Sequence, residues 1–360
     1  MYHASLHTHR LQFRFVAGTS RGTLTTHTAH YVRLFDPKAP ERVGIGEAAP
    51  LAGLSLDAHP DFAAQAEMTC RLFAEENFSI ADIPTVIPHQ LPSLRFAFEV
   101  ALRDLAQGGR RLIYANDFAA GRTSIPINGL IWMGDLDFMA KQIEQKLNEG
   151  YRCLKLKIGA LNFDSEYALL ADLRRRFSSR DLILRVDANG AFSPEQAPQK
   201  LERLHALELH SIEQPIAAGT PEQMYALCQN SPLPIALDEE LIGCHTTTDR
   251  AALLDQIQPA YIVLKPTLLG GLAATADWIR LAEERQIGWW ITSALESNIG
   301  LNAIAQFVAQ YAPQAHQGLG TGQLYHNNIP SPLEVASGYI RYLPERAWDS
   351  SQAVESLFLG

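Results

Sequence analysis

Leu182-Ile-Leu-Arg-Val-Asp-Ala-Asn189 is apolar along most of its length and ends in a carboxylate. That is the pattern of a short buried strand. Alternate side chains of a strand share a face. Arg185, Asp187 and Asn189 therefore point one way, and Leu184, Val186 and Ala188 the other. A charged row at the end of a buried strand is costly unless it is paired or binds something. A salt-bridged strand end meets that cost as well as a ligand does. Recurrence separates the two readings, because the same event returns along the chain at near-regular intervals.

Beyond residue 122 the pattern is strand, helix, strand, helix. Strands are expected at 125–132, 153–158, 182–189, 211–214, 235–239, 261–265, 288–292 and 317–320. Ser193-Pro194 with Gln196, and Thr220-Pro221 with Gln223, read as capping boxes with proline at the first helical position. Repeated units with about eight strands predict an α/β fold, a closed parallel (β/α) barrel of the modified TIM type. An open doubly wound sheet is the rival, but no GxGxxG turn follows the first strand. Upstream, 11–16, 29–35 and 42–48 read as an antiparallel meander, with helices at 61–76 and 93–107. The expected organisation is an α+β capping domain over 1–115 and a catalytic barrel over 116–330. A C-terminal segment, 331–360, would pack back on the cap.

Of the 360 residues, 47% are hydrophobic and 19% charged, which suits a globular chain with a sizeable core. The formal charge of −9 argues against a nucleic-acid partner, and no Lys/Arg run marks a membrane surface. Cys70, Cys153, Cys228 and Cys244 form neither a CxxC pair nor a zinc spacing. With no signal-peptide pattern and no bilayer-length apolar run, a cytoplasmic location is expected. Oligomeric state is left open.

In a (β/α) barrel the strand C-termini share one rim, where reactive residues collect. Taken in order, the strand ends supply Lys155 and Lys157, then Asp187 and Asn189, Glu213, Asp238, and Lys265. Thr292-Ser-Ala-Leu-Glu-Ser-Asn-Ile-Gly300 follows the seventh strand. Three carboxylates on adjacent strands repel unless a cation sits among them. Hard oxygen donors suit Mg²⁺, with Mn²⁺ as substitute, and the absence of His and Cys beside the acids on these strands argues against zinc. Pairing of these acids with Lys157 and Lys265 across the barrel is the bland alternative. A free lysine has a pKa of about 10.4 and is a poor base at neutral pH. A neighbouring ammonium and a divalent cation would both pull it down. Metal and flanking lysines together suit removal of a proton next to a carboxylate, a small-molecule substrate. Leu268-Leu-Gly-Gly271 reads either as a phosphate-cradling turn or as an ordinary glycine pair.

Lys155-Leu-Lys157, Asp187-Ala-Asn189, Glu213-Gln-Pro215, Asp238-Glu239 and Lys265-Pro266 together resemble the enolase superfamily, in its muconate-lactonizing-like branch. Active sites of that superfamily pair a lysine base with Mg²⁺. The resemblance covers nearly the whole chain. It implies Asp187, Glu213 and Asp238 as metal ligands, with Lys157 and Lys265 as the catalytic lysines on opposite faces. Glu239 stays outside the ligand set because a regular strand turns it away. Residues 44–55 would belong to a substrate-specificity loop over the barrel mouth. Lys155, Asn189, Arg185 and Ser293 are expected as supporting or substrate contacts. Ser293-Ala-Leu-Glu-Ser-Asn-Ile-Gly-Leu301 with Ala305-Gln306 is similar to the o-succinylbenzoate synthase family of that branch. Dipeptide epimerases of the branch carry an Asp-x-Asp pair that Gly318-Leu-Gly-Thr-Gly322 lacks. The expected reaction is a Mg²⁺-dependent dehydration through an enediolate. The rivals are a racemase, epimerase or cycloisomerase on the same scaffold, a Schiff-base aldolase using Lys265, and a non-catalytic barrel.

Overall fold

Strands β1 (His3–Thr19), β2 (Gly22–Asp36) and β3 (Ala39–Ala48) form an antiparallel meander, each longer than its apolar pattern predicts. The computed structural model describes residues 2–19 and 22–348. Helix α1 (Phe62–Glu76) buries Phe62, Ala66, Cys70 and Phe73, one face at helical spacing. It stops at Asn77, whose left-handed backbone sends its N–H to the Phe73 carbonyl. The short α2 (Ile83–Val86) leads into α3 (Pro92–Ala106), which opens on proline as the sequence suggests.

The meander is buried on both faces. Val32, Leu34 and Ala48 pack on α1 and α3 with Phe73 and Phe98. Leu11, Phe13, Tyr31 and Ile45 pack on Trp132, Ile299, Leu324 and Tyr325 of the second half of the chain. Gly44 and Gly46 set the approach of β3 to α3. A Cβ at Gly46 would lie 1.8 Å from the Ala97 carbonyl oxygen, and one at Gly44 would lie 2.1 Å from that of Ala101.

The expected strand at 125–132 splits in two. β4 (Ser124–Pro126) leaves the barrel and pairs with the C-terminal hairpin, while β5 (Gly129–Ile131) begins the parallel sheet. The remaining staves are β6 (Cys153–Lys157), β7 (Ile183–Asp187), β8 (Ser211–Glu213), β9 (Ile235–Leu237), β10 (Tyr261–Leu264) and β11 (Gly288–Ile291), paired in sequence order. The helices between and after them are α4 (Leu136–Asn148), α5 (Phe163–Arg176), α6 (Ala197–His205), α7 (Pro221–Asn230), α8 (Thr247–Ile257), α9 (Pro266–Leu269), α10 (Leu272–Glu284) and α11 (Asn298–Val308). The eighth strand expected at 317–320 is reduced to two bridging residues. Gln317 bridges Ile127 and Gly318 bridges Thr292, both parallel, and these contacts close the barrel.

Two helix starts depart from expectation. α6 begins at Ala197, after a turn in which the Ser193 carbonyl accepts from the Ala197 N–H. Pro221 does open α7, but the Thr220 hydroxyl donates to the Ala217 carbonyl and caps nothing. A proline in the first turn removes an N–H that a cap would otherwise need to satisfy. Reciprocal capping boxes occur instead at Ser79 with Asp82 and Thr246 with Asp249. At the C-terminal end, β12 (Leu333–Ala336) and β13 (Tyr339–Tyr342) form a sheet with β4. Trp348 joins the apolar cluster between meander and barrel. The expected segment beyond residue 348 lies outside the described residues.

Candidate active site

Register brings the charged strand ends level. Lys157 on β6 pairs with Asp187 on β7, and Asp187 with Glu213 on β8. In a parallel sheet such partners stand about 4.8 Å apart, so the acids are adjacent before any side-chain rotamer is chosen. Lys155 lies one rung lower on the same face. Its Nζ sits 3.0 Å from Asp187 Oδ2 and 2.6 Å from Glu213 Oε2. Two of the three carboxylates thus touch a common atom. Asp238, just past β9, pairs with Lys265, just past the neighbouring stave β10.

Lys157 Nζ donates to Asp187 Oδ2 at 3.0 Å and to Asn189 Oδ1 at 2.6 Å. Asn189 has left the strand, with φ of 43°, and its amide donates to Glu239 Oε1 at 3.1 Å. The expectation that Glu239 turns away is therefore corrected. β9 ends at Leu237, so strand alternation no longer applies two residues later, and a 3-10 turn brings Glu239 back to the cluster. Gln214, wholly buried, accepts from the Asp238 N–H at 3.1 Å and donates to Glu240 Oε2 at 3.1 Å. It anchors the backbone that carries Asp238.

Burial and charge pull against each other here. Burial alone would lower Lys155, but Asp187, Glu213 and Asp238 outweigh it and raise its pKa. Lys265 is raised in the same way by Asp238, Glu213 and Glu239. Acids outnumber the ammoniums beside each of these two lysines, so the net pull of the protein's own charges is upward. Burial opposes ionisation of Asp187, yet Lys155 and Lys157 hold it well below the usual carboxylate range. Glu213 is pushed up to about 8 by burial and by Asp187.

The fit to a divalent ion can be judged from the donors. Glu213 Oε1 is buried without a hydrogen-bond partner, while the Lys155 ammonium lies 2.6 Å from Oε2. A buried carboxylate oxygen without a donor, level with Asp187 on the adjacent stave and without His or Cys, fits a hard cation. Among the described residues no three acidic, His or Cys side chains are turned onto one point, because each acid leans on a lysine. The bland pairing considered above is thus present in this arrangement, alongside a donor set that suits Mg²⁺.

A cavity of about 880 Å³ opens above these groups. Lys155, Lys157, Asp187, Asn189, Lys265 and Ser293 reach its wall from the barrel. Leu51, Ala52 and Leu54 reach it from the cap. Of the 44–55 segment, 44–48 is strand and only the part beyond forms loop. Phe15, Thr19 and Leu24 of the β1–β2 hairpin also face the cavity, and nothing in their local pattern marks them. Arg185 does not reach it, which corrects its expected role. It is buried one rung below Asp187, its guanidinium 4.1 Å over the Trp290 ring and donating to the His316 carbonyl at 2.8 Å. The Gly270-Gly271 turn cradles no phosphate. The N–H groups of Leu272 and Ala273 are already taken by Glu99 Oε2, at 2.7 and 3.2 Å.

A family model for enolase C-terminal domain-like proteins matches residues 138–347. The o-succinylbenzoate synthase of Desulfotalea psychrophila is 51% identical over 357 residues, covering 92% of this chain and 96% of that protein. The crystal structure of MenC from Desulfotalea psychrophila LSv54 matches with a TM-score of 0.83 and 47% identity, over 94% of this chain and 99% of that one. A dipeptide epimerase from Enterococcus faecalis V583, complexed with Mg and L-Leu-L-Tyr, matches at a TM-score of 0.82 with 19% identity, over 96% and 98% of the two chains. That last likeness is one of fold. The chain belongs to the enolase superfamily, with its capped, modified TIM barrel. Within the superfamily it is most like the o-succinylbenzoate synthases, and it is an enzyme of their carbon–oxygen lyase class. No helix among the described residues is long and apolar enough to cross a membrane.

Proposed function

We propose that the enzyme dehydrates 2-succinyl-6-hydroxy-2,4-cyclohexadiene-1-carboxylate to o-succinylbenzoate, as a step toward menaquinone, with Mg²⁺ as cofactor and Mn²⁺ as substitute. The observation that carries this reading is the placing of Lys157 and Lys265, from well-separated staves, on the wall of one cavity with Asp187 between them in barrel order. Asp187, Glu213 and Asp238 would hold the metal. When bound, it offsets the negative charge of the substrate carboxylate, which makes the neighbouring C–H more acidic.

The chain's own residues do the rest. Lys157, in its neutral form, takes the proton alpha to the carboxylate onto Nζ. Asn189 and Asp187 fix that amine in direction. The C–O bond of the 6-hydroxyl breaks, and the hydroxide leaves as water with a proton from the Lys157 ammonium. The ring electrons close into an aromatic system, so the step runs strongly downhill. Lys265 faces the developing negative charge and the ring. Lys155 bridges Asp187 and Glu213 and keeps them level.

Lys157→Ala is expected to lower turnover by at least about 10³-fold, with the thermal unfolding transition retained. Near-normal turnover would refute Lys157 as base. The substrate reading is tested by assaying the cyclohexadiene, with and without Mg²⁺, beside N-acylamino acids and dipeptides. Two lysines on one cavity also suit a racemase. Solvent deuterium exchange into N-succinylamino acids without dehydration would select that reading instead.

A further inference from the structure

Glu47 is the penultimate residue of β3, just before the cap loop at 49–55, and it is wholly buried. Its carboxylate crosses to the barrel. Oε1 accepts from the Ser297 N–H at 2.7 Å, and Oε2 accepts from the Ser297 hydroxyl at 2.6 Å and the Gly300 N–H at 2.8 Å. The two N–H groups are donors that the start of α11 cannot pair within the helix. On the cap side, Glu47 borders the turn whose Leu51 and Leu54 face the cavity. That turn is tied to itself, with the Leu51 N–H donating to Ser55 Oγ at 2.8 Å and the Ser55 N–H to the Leu51 carbonyl at 2.9 Å. On the barrel side, Ser297 follows Ser293, Ala294 and Leu295, which face the same cavity. Glu296 holds that run in place through Ser293, Thr267 Oγ1 at 2.6 Å and the Ala294 N–H at 2.8 Å.

A second clasp lies outside the cavity wall. Glu99 on α3 accepts from the first N–H groups of α10. Because Gly44 and Gly46 lay β3 directly on α3, Glu47 and Glu99 belong to one rigid unit that grips two neighbouring barrel helices. The two clasps differ in what they adjoin, and only that of Glu47 joins cavity-facing segments.

We propose that Glu47 is a positioning residue that sets substrate affinity by locking the 49–55 turn of the cap to the 293–297 wall of the barrel, whereas Glu99 serves cap docking alone. The kinetic arm of the test rests on the dehydration reading above; the exchange arm does not. Full-length Glu47→Gln replaces one accepting oxygen with an NH₂ that faces a donor. It is expected to raise KM about 10-fold with kcat within about threefold, because binding geometry is lost and the lysines are untouched. Hydrogen exchange over 49–55 and 297–300 should speed up. Glu99→Gln should speed exchange at 272–273 and leave KM at the wild-type value. If Glu47→Gln does not fold, Glu47→Asp, one methylene short, is read by the same criteria. Unchanged KM and unchanged exchange over 49–55 would overturn the proposal. So would a Glu99→Gln variant whose KM rises as much as that of Glu47→Gln. If the wild-type enzyme does not dehydrate the cyclohexadiene, the reaction reading fails, and exchange over 49–55 alone decides for or against the lock.

Discussion

Arg185 shows what a single residue's spacing can and cannot convey. Strand alternation places it on the same face as Asp187, and that placement agrees with its burial inside the barrel. Alternation does not say which rung borders the cavity. Lys155 reaches the wall from the rung of Arg185, because its side chain climbs toward Asp187 and Glu213. Arg185 instead turns to Trp290 and the His316 carbonyl, and its Nε is buried without a partner. A guanidinium over an indole face is attracted by the ring quadrupole and buries its stem. Arg185→Met should therefore cost about 1–3 kcal/mol of stability, in line with lost cation–π and hydrogen-bond contacts. It should leave KM within about twofold, since nothing bound in the cavity is touched. Urea unfolding and steady-state kinetics on one preparation decide this. A large KM increase at unchanged stability would return Arg185 to the substrate. Glu239 is the opposite case. Its neighbourhood with Asn189 was hidden because the regular strand stops at Leu237.

At the scale of elements, the staves were legible because buried parallel strands are short apolar runs with charged ends. Lys157, Asp187 and Glu213 fall in register for that reason. The eighth stave was legible as a position but not as a strand, because Gln317 and Gly318 complete the barrel with single bridges. The cap's part in the cavity was mostly illegible. Phe15 and Leu24 come to the wall through tertiary packing, which no local pattern carries. Glu47 did carry a signal, an acid near the end of a strand whose last residues are otherwise apolar or glycine, much as at Asp187. The β3–α3 contact offers the test at this scale. A methyl at Gly46 would meet the Ala97 carbonyl far inside van der Waals contact, so backbone must move. Gly46→Ala should destabilise by at least about 2 kcal/mol, as overpacking of a rigid contact does. Its urea midpoint should fall accordingly. A midpoint equal to wild type would mean that β3 and α3 do not pack as tightly as described.

Over the whole molecule, buried ionisable groups set opposing slopes of stability with pH. His27 is buried under the loop end of the cap, its Nε2 without a partner. Burial lowers its pKa to about 4 from 6.5. The unfolded chain then binds more protons than the folded one between those values. The stability contributed by neutral His27 is present above pH 6.5 and is lost as pH falls through 4. Glu47 acts in the reverse sense. Burial raises it to about 7 from 4.5, so its contribution is present below pH 4.5 and is lost as pH rises through 7. The slope reaches about 1.4 kcal/mol per pH unit for each group at its limit. Between about pH 4.5 and 6.5 the two contributions therefore run in opposite directions. Difference curves isolate them. Unfolding free energy of wild type minus His27→Leu should climb with pH across that window, while wild type minus Glu47→Gln should decline. Denaturant titrations at half-unit pH steps supply both curves. Two curves of the same sign would show that at least one of these groups is ionised differently inside the folded protein, and parallel flat curves would show that neither is held away from its ordinary titration.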